Sequence, residues 1–223
     1  MGQVIAILGA ESTGKTTLAH TLAARLASQG LRTQVVAEYL REFCDTHART
    51  PRIDEQAGIA QEQTRRIALA ARSCDLVFAD TTALMTAVYS DYVFCDASLY
   101  REACAQHAVC AFTLVTGLDL PWQADGLQRD GEHVREPVDV LLRRALQEGS
   151  QAFGVVYGQG DARTEHAMAA LRACLGAWFA DATPAPAVAG ETAARLRWSR
   201  RCAECLVPEC EHLGLLPRAP MTP

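Results

Sequence analysis

The octapeptide Gly9-Ala10-Glu11-Ser12-Thr13-Gly14-Lys15-Thr16 constrains this chain more than any other stretch. It fits the pattern GxxxxGK[ST]. It follows the apolar run Val4–Leu8 directly and opens a segment with Leu18, Leu22 and Leu26 at i, i+4 and i+8. A strand, a glycine-bounded turn and a helix in that order curl the main chain until successive N–H groups converge on anionic oxygens. The positive end of the helix dipole points at the same place. The lysine reaches the outer phosphates of a nucleoside triphosphate, and the hydroxyl after it reaches the accompanying Mg²⁺. Gly9, Glu11, Ser12, Thr13, Gly14, Lys15, Thr16 and Thr17 are therefore expected to hold ATP, with Thr16 on the metal.

Composition sharpens this reading. Lys15 is the only lysine, against 20 arginines, and asparagine is absent. A chain that uses arginine almost everywhere keeps a compact ammonium at the one site where a planar fork fits badly. Without asparagine the Asn-Lys-x-Asp guanine reader of GTPases cannot exist, and no LSGGQ-like stretch is present, so a small-molecule kinase remains. The net charge of −5 argues against wrapping a nucleic-acid backbone. No apolar run approaches the ~20 residues that span a bilayer, and no basic leader precedes Val4. Cys74, Cys95, Cys104, Cys110 and Cys174 are scattered through apolar segments, which predicts buried free thiols in a reducing cytoplasm.

Five apolar runs read as parallel strands: Val4–Leu8, Gln34–Ala37, Leu76–Ala79, Ala111–Val115 and Ala152–Tyr157. Thr16–Gln29, Asp54–Ser73, Val138–Glu148 and Arg163–Phe179 read as helices. The alternation predicts an α/β fold with a doubly wound five-stranded parallel sheet over residues 1–180. Residues 181–190 are Ala/Pro-rich and read as a linker, and 191–223 as a small cysteine-containing tail.

Ligands in such sheets collect beyond the carboxyl ends of the strands. There, Glu38 is placed to take the proton of a substrate hydroxyl, and Asp80 to hold Mg²⁺ with Thr16. The polar segment Asp119–Arg135 is long enough to cover a site. In it Arg129 and Arg135 are expected to close on the phosphates and Trp122 to stack on a ring.

These pieces resemble the ribosylnicotinamide kinase domain of the bifunctional NAD-biosynthesis regulator. The matching segments are Gly-Ala-Glu-Ser-Thr-Gly-Lys-Thr-Thr-Leu at 9–18, Glu-Tyr-Leu-Arg-Glu at 38–42, Ala-Asp-Thr at 79–81 with Thr86, and Asp-Leu-Pro-Trp-Gln-Ala-Asp-Gly-Leu at 119–127. The resemblance implies ATP- and Mg²⁺-dependent phosphorylation of the ribose 5′-hydroxyl of nicotinamide riboside, a step of NAD salvage. It also implies that Glu38, Tyr39, Trp122 and Asp125 lie near the nucleoside, and Arg129 and Arg135 in a lid. Where the family carries a second acid after Asp-Thr, this chain has Thr82, and where it carries arginine after Asp-Gly-Leu, this chain has Gln128. Another nucleoside as acceptor, or an ATP-binding regulatory switch, are the alternatives. Monomer and homodimer both fit.

Cys202, Cys205, Cys210 and His212 set four soft ligands within eleven residues of the tail. A segment of about thirty residues is too short to build its own core, so the cluster reads either as a structural zinc site or as free thiols, with an intermolecular contact as the third reading.

Overall fold

A computed structural model describes residues 1–123 and 131–179. Asp125, Gln128, Arg129, the linker and the four tail ligands Cys202, Cys205, Cys210 and His212 lie outside the described residues.

Five strands form one parallel sheet: β1 (Gln3–Leu8), β2 (Thr33–Val36), β3 (Leu76–Asp80), β4 (Phe112–Thr116) and β5 (Phe153–Val156), in the order β2-β3-β1-β4-β5. Among the described residues seven α-helices connect and cover them: α1 (Lys15–Ala27), α2 (Tyr39–His47), α3 (Gln56–Ala70), α4 (Ala83–Phe94), α5 (Tyr100–His107), α6 (Arg135–Glu148) and α7 (Gly160–Phe179). The doubly wound fold expected from the sequence is the observed one.

Strand periodicity sorts the core. On β1, Ile5 and Ile7 face one layer, where they meet Leu18, Leu22 and Leu26 of α1 and Met168 and Leu171 of α7. Ala6 and Leu8 face the other, where Leu84 and Val88 of α4 pack with Val138, Leu142 and Leu146 of α6. Val36, Ile67 and Val77 extend that second layer under α3. Burial on both faces explains why the strands read as continuous apolar runs rather than as alternations.

The sheet order reverses at β1, because the chain turns outward to β2 on one side and to β4 and β5 on the other. A crevice opens at the carboxyl end of such a switch-point strand. Register fixes its neighbours: Ile7 pairs with Asp80 and Leu8 with Val115. The described cysteines are all free, but of the five expected to be buried Cys95 and Cys174 are exposed and Cys74, Cys104 and Cys110 half-buried; Cys44 is the buried one among the described residues. Among the described residues no helix is long and apolar enough to cross a membrane.

Candidate active site

The chain leaves β1 through Gly9, whose φ of 150° and close approach to β4 exclude a side chain: a Cβ there would lie 2.2 Å from Thr116 Oγ1. Gly14 caps α1 in the left-handed region at φ 76°. Between them Thr13 is fully buried; its hydroxyl donates to Ala10 O at 2.7 Å and lies 2.6 Å from Thr116 Oγ1. Arg163, 5% exposed on α7, donates to Thr13 O at 2.8 Å, to Gly158 O at 2.7 Å and to Asp119 Oδ1 at 3.1 Å. One guanidinium thus ties the turn to the segments that follow β4 and β5.

Thr16 Oγ1 donates to Asp80 Oδ2 at 2.5 Å. The other oxygen, Asp80 Oδ1, is buried with no hydrogen-bond partner. A desolvated carboxylate oxygen in that state is costly unless a cation or water meets it. A hydroxyl and a carboxylate side by side are hard oxygen donors, so this pair fits Mg²⁺. Among the described residues no cluster of three or more His, Cys, Asp or Glu side chains gathers for a metal.

Two cavities flank the turn. The larger, about 720 Å³, is lined by Ser12–Leu18 together with Gln159, Asp161 and Thr164. The smaller, about 210 Å³, is lined by Glu38, Met85, Thr86, Tyr89 and Phe94, with Gly9 and Glu11 at its floor. Lys15 and Arg41 border both. The eight residues expected to act together on ATP are therefore divided: Ser12, Thr13, Gly14, Thr16 and Thr17 face the larger cavity, Gly9 and Glu11 the smaller. Lys15 Nζ donates to Ala10 O at 2.7 Å.

Glu38, 15% exposed, precedes α2 and accepts from Arg41 Nε at 3.1 Å. Burial pushes its carboxyl above the ordinary carboxylate range, Lys15 pulls it back, Asp80 pushes it further up, and Arg41 pulls it down. Thr81, which follows Asp80, has φ 84°, a strained conformation for a β-branched residue. Thr82 caps α4 through Leu84 N and lies 3.0 Å from His107 Nδ1, whose Nε2 lies 2.8 Å from Thr113 Oγ1.

Two of the expected site residues make contacts with other parts of the chain. Arg135 is 5% exposed at the start of α6, where Nη2 donates to Leu118 O at 3.2 Å and to Leu120 O at 2.8 Å. It ties the backbone at Leu118 and Leu120 to the start of α6. Tyr39 turns away from the smaller cavity; its ring lies 4.4 Å under the Arg66 guanidinium and packs on Phe43, Cys44 and Ile59. Trp122 sits on the turn, with Nε1 3.3 Å from Glu11 Oε2, and Gln123 O accepts from Ser12 Oγ at 2.8 Å. Sequence reading assigned no role to Arg163, Thr116 or Gln63, and marked Arg41 only as part of the 38–42 segment.

Similar folds occur in solved proteins. NadR in complex with NR is 23% identical, with a TM-score of 0.65 over 78% of this chain and 51% of that one. NadR in complex with NAD and AMP-PNP is 22% identical, with a TM-score of 0.60 over 78% and 50%. The chain thus spans about half the length of these NadR chains. Deoxyadenosine kinase from M. mycoides, with dCMP and dCDP bound, is 15% identical, with a TM-score of 0.53 over 77% of this chain and 100% of that one. No curated protein sequence matches the chain. The AAA domain family matches residues 4–163, which contain the phosphate turn, Glu38, Asp80 and Arg163, and the chain belongs to that family.

Proposed function

We propose that the chain is a kinase that moves the terminal phosphoryl group of ATP to the ribose 5′-hydroxyl of nicotinamide riboside. The observation that carries this reading is the pair of cavities meeting at Lys15 and Arg41. A hydrolase needs one triphosphate pocket and a water, whereas a transferase needs a second sheltered pocket opening on the same phosphoryl. The smaller cavity offers Tyr89, Phe94 and Met85 for a ring and Glu38 for a hydroxyl. The likeness to NadR in complex with NR, and with NAD and AMP-PNP, supports these two occupants.

On this reading the triphosphate lies along the first turn of α1, with Lys15 at its outer phosphates. Thr16 and Asp80 would hold Mg²⁺, which when bound neutralises phosphate charge. Glu38 takes the proton of the acceptor hydroxyl as that oxygen bonds to phosphorus. The bridging P–O bond breaks, and its electron pair leaves on ADP. Burial that raises the Glu38 carboxyl makes its ionised form a stronger base toward that proton. By the family resemblance alone, Trp122 and Asp125 are assigned to the nucleoside and Arg129 to a lid.

A different nucleoside is the second reading, favoured by Thr82, which engages His107 where the resembled family carries an acid. Incubation of the protein with Mg·ATP and a panel of nucleosides, followed by mass, separates the readings. Phosphorylated product from nicotinamide riboside is the expected result; product from another nucleoside alone replaces the acceptor. Slow ADP release indifferent to every acceptor would replace both with an ATP-binding switch. Lys15→Ala is expected to lower turnover by about a thousandfold without changing the thermal unfolding midpoint.

A further inference from the structure

Gln56 opens α3 and Thr86 lies near the start of α4, and the two helices pack against each other. Gln56 is 6% exposed and Thr86 7%, and both line the smaller cavity. Among the described residues neither side chain makes a hydrogen bond. Gln63, two turns further along the same face of α3, shows the contrast. Its whole amide is taken up by main-chain groups of Tyr39, Ala37 and Thr81. A buried amide or hydroxyl without a partner costs free energy. The polar atoms of Gln56 and Thr86 are not sealed in the core as Asp80 Oδ1 is, and the space they share is the cavity. An occupant of that cavity completes them.

The chemistry of the lining says what that occupant presents. Met85, Tyr89 and Phe94 suit a flat ring. A glutamine amide holds an acceptor beside donors, so it pairs with a ring substituent that also sets an acceptor beside a donor. A carboxamide is such a group. A carboxylate is not, because it turns a second acceptor toward the glutamine oxygen. We propose that Gln56, with Thr86 beside the same space, is a specificity-determining residue that hydrogen-bonds the carboxamide on the acceptor's ring. This role deepens the acceptor reading above and rests on it for the identity of the ring. Gln56 acts in binding, and neither the proton nor the phosphoryl group passes through it.

Titration calorimetry of the full chain with nicotinamide riboside and with N-ribosylpyridinium, which lacks the carboxamide, tests the contact without turnover. Both ligands carry one positive ring charge, so Glu11 and Glu38, which line the same cavity, act on them alike. The wild type is expected to bind nicotinamide riboside about a hundredfold more tightly. In Gln56→Leu that preference should shrink by about tenfold, with affinity for the pyridinium riboside held within about twofold. Thr86→Val should shrink it by about threefold. Gln56 bonds no other part of the described chain, so Gln56→Leu should unfold at or above the wild-type midpoint, where loss of a structural glutamine would lower it. With Mg·ATP, KM for nicotinamide riboside should rise by about tenfold in Gln56→Leu and kcat stay within about threefold. An unchanged preference in a folded Gln56→Leu protein overturns the proposal. Equal weakening of both ligands does the same, since Gln56 would then hold only water. A wild type that binds no nicotinamide riboside also overturns it, while phosphorylation of another nucleoside would keep the kinase. Binding that shows the expected preference without phosphoryl transfer to any nucleoside supports Gln56 and removes the kinase reading instead.

Discussion

Gln63 is 1% exposed and gives its whole amide to main chain. Oε1 accepts from Tyr39 N at 2.7 Å, and Nε2 donates to Ala37 O at 3.3 Å and Thr81 O at 3.2 Å. One side chain thereby joins the backbone on both sides of Glu38 to the backbone that follows Asp80. Glu38 and Asp80 repel each other, so their separation needs a fixed frame. Gln63→Leu removes that frame and leaves buried polar groups unpaired. It should cost about 2 kcal/mol in denaturant unfolding and lower kcat with KM for ATP held. Wild-type turnover in a destabilised variant would show that Glu38 needs no such support. Nothing in the alanine-rich run Asp54–Ser73 distinguishes Gln63 from its polar neighbours, because its partners lie on other strand ends. Lys15, Thr16 and Asp80 are legible for the opposite reason: a local turn and a strand end dictate their places.

At the level of elements, the strands and the helices flanking the phosphate turn announce themselves by pattern, whereas α2, α4 and α5 do not. Seven of the twelve residues of α4 are buried, so it carries no polar stripe to mark a helical period, and α5 is only eight residues long. A subtler sign was present. Arg41, Arg135 and Arg163 each stand in the first turn of a helix, where a positive charge opposes the dipole. Each offsets that cost with an acceptor outside its own helix, and all three lie at the phosphate end of the sheet. The junction of α4, α5 and β4 is closed by His107, which burial lowers from the usual 6.5 to about 4. A histidine kept neutral by the fold stabilises it fully above 6.5, and that contribution is lost as acid charges the unfolded chain. Stability should therefore fall between pH 6.5 and 4 by up to roughly 3 kcal/mol, and His107→Gln should flatten that slope. A slope unchanged in the variant would assign the acid sensitivity to other groups.

At the scale of the whole molecule, the first loop and the last of the described helices are drawn together. Arg163 is 150 residues from Thr13 yet holds its carbonyl, and Asp119 and Gly158 complete the knot. Such long-range closure is invisible to pattern reading, since a buried guanidinium and a surface one look alike in sequence. The switch point at β1 was legible in kind, from the alternation of strands and helices, but the arginine that locks it was not.

The solitary lysine has a practical corollary. Apart from the α-amino group, amine-directed acylation has one target on the entire chain, and that target lines both cavities. Mild acylation followed by peptide mass should find a single modified side chain, at Lys15, and saturating Mg·AMP-PNP should shield it about tenfold. Labelling indifferent to nucleotide would place Lys15 away from the phosphates. The polypeptide thus carries a built-in covalent gauge of occupancy, readable without tag, dye or mutation.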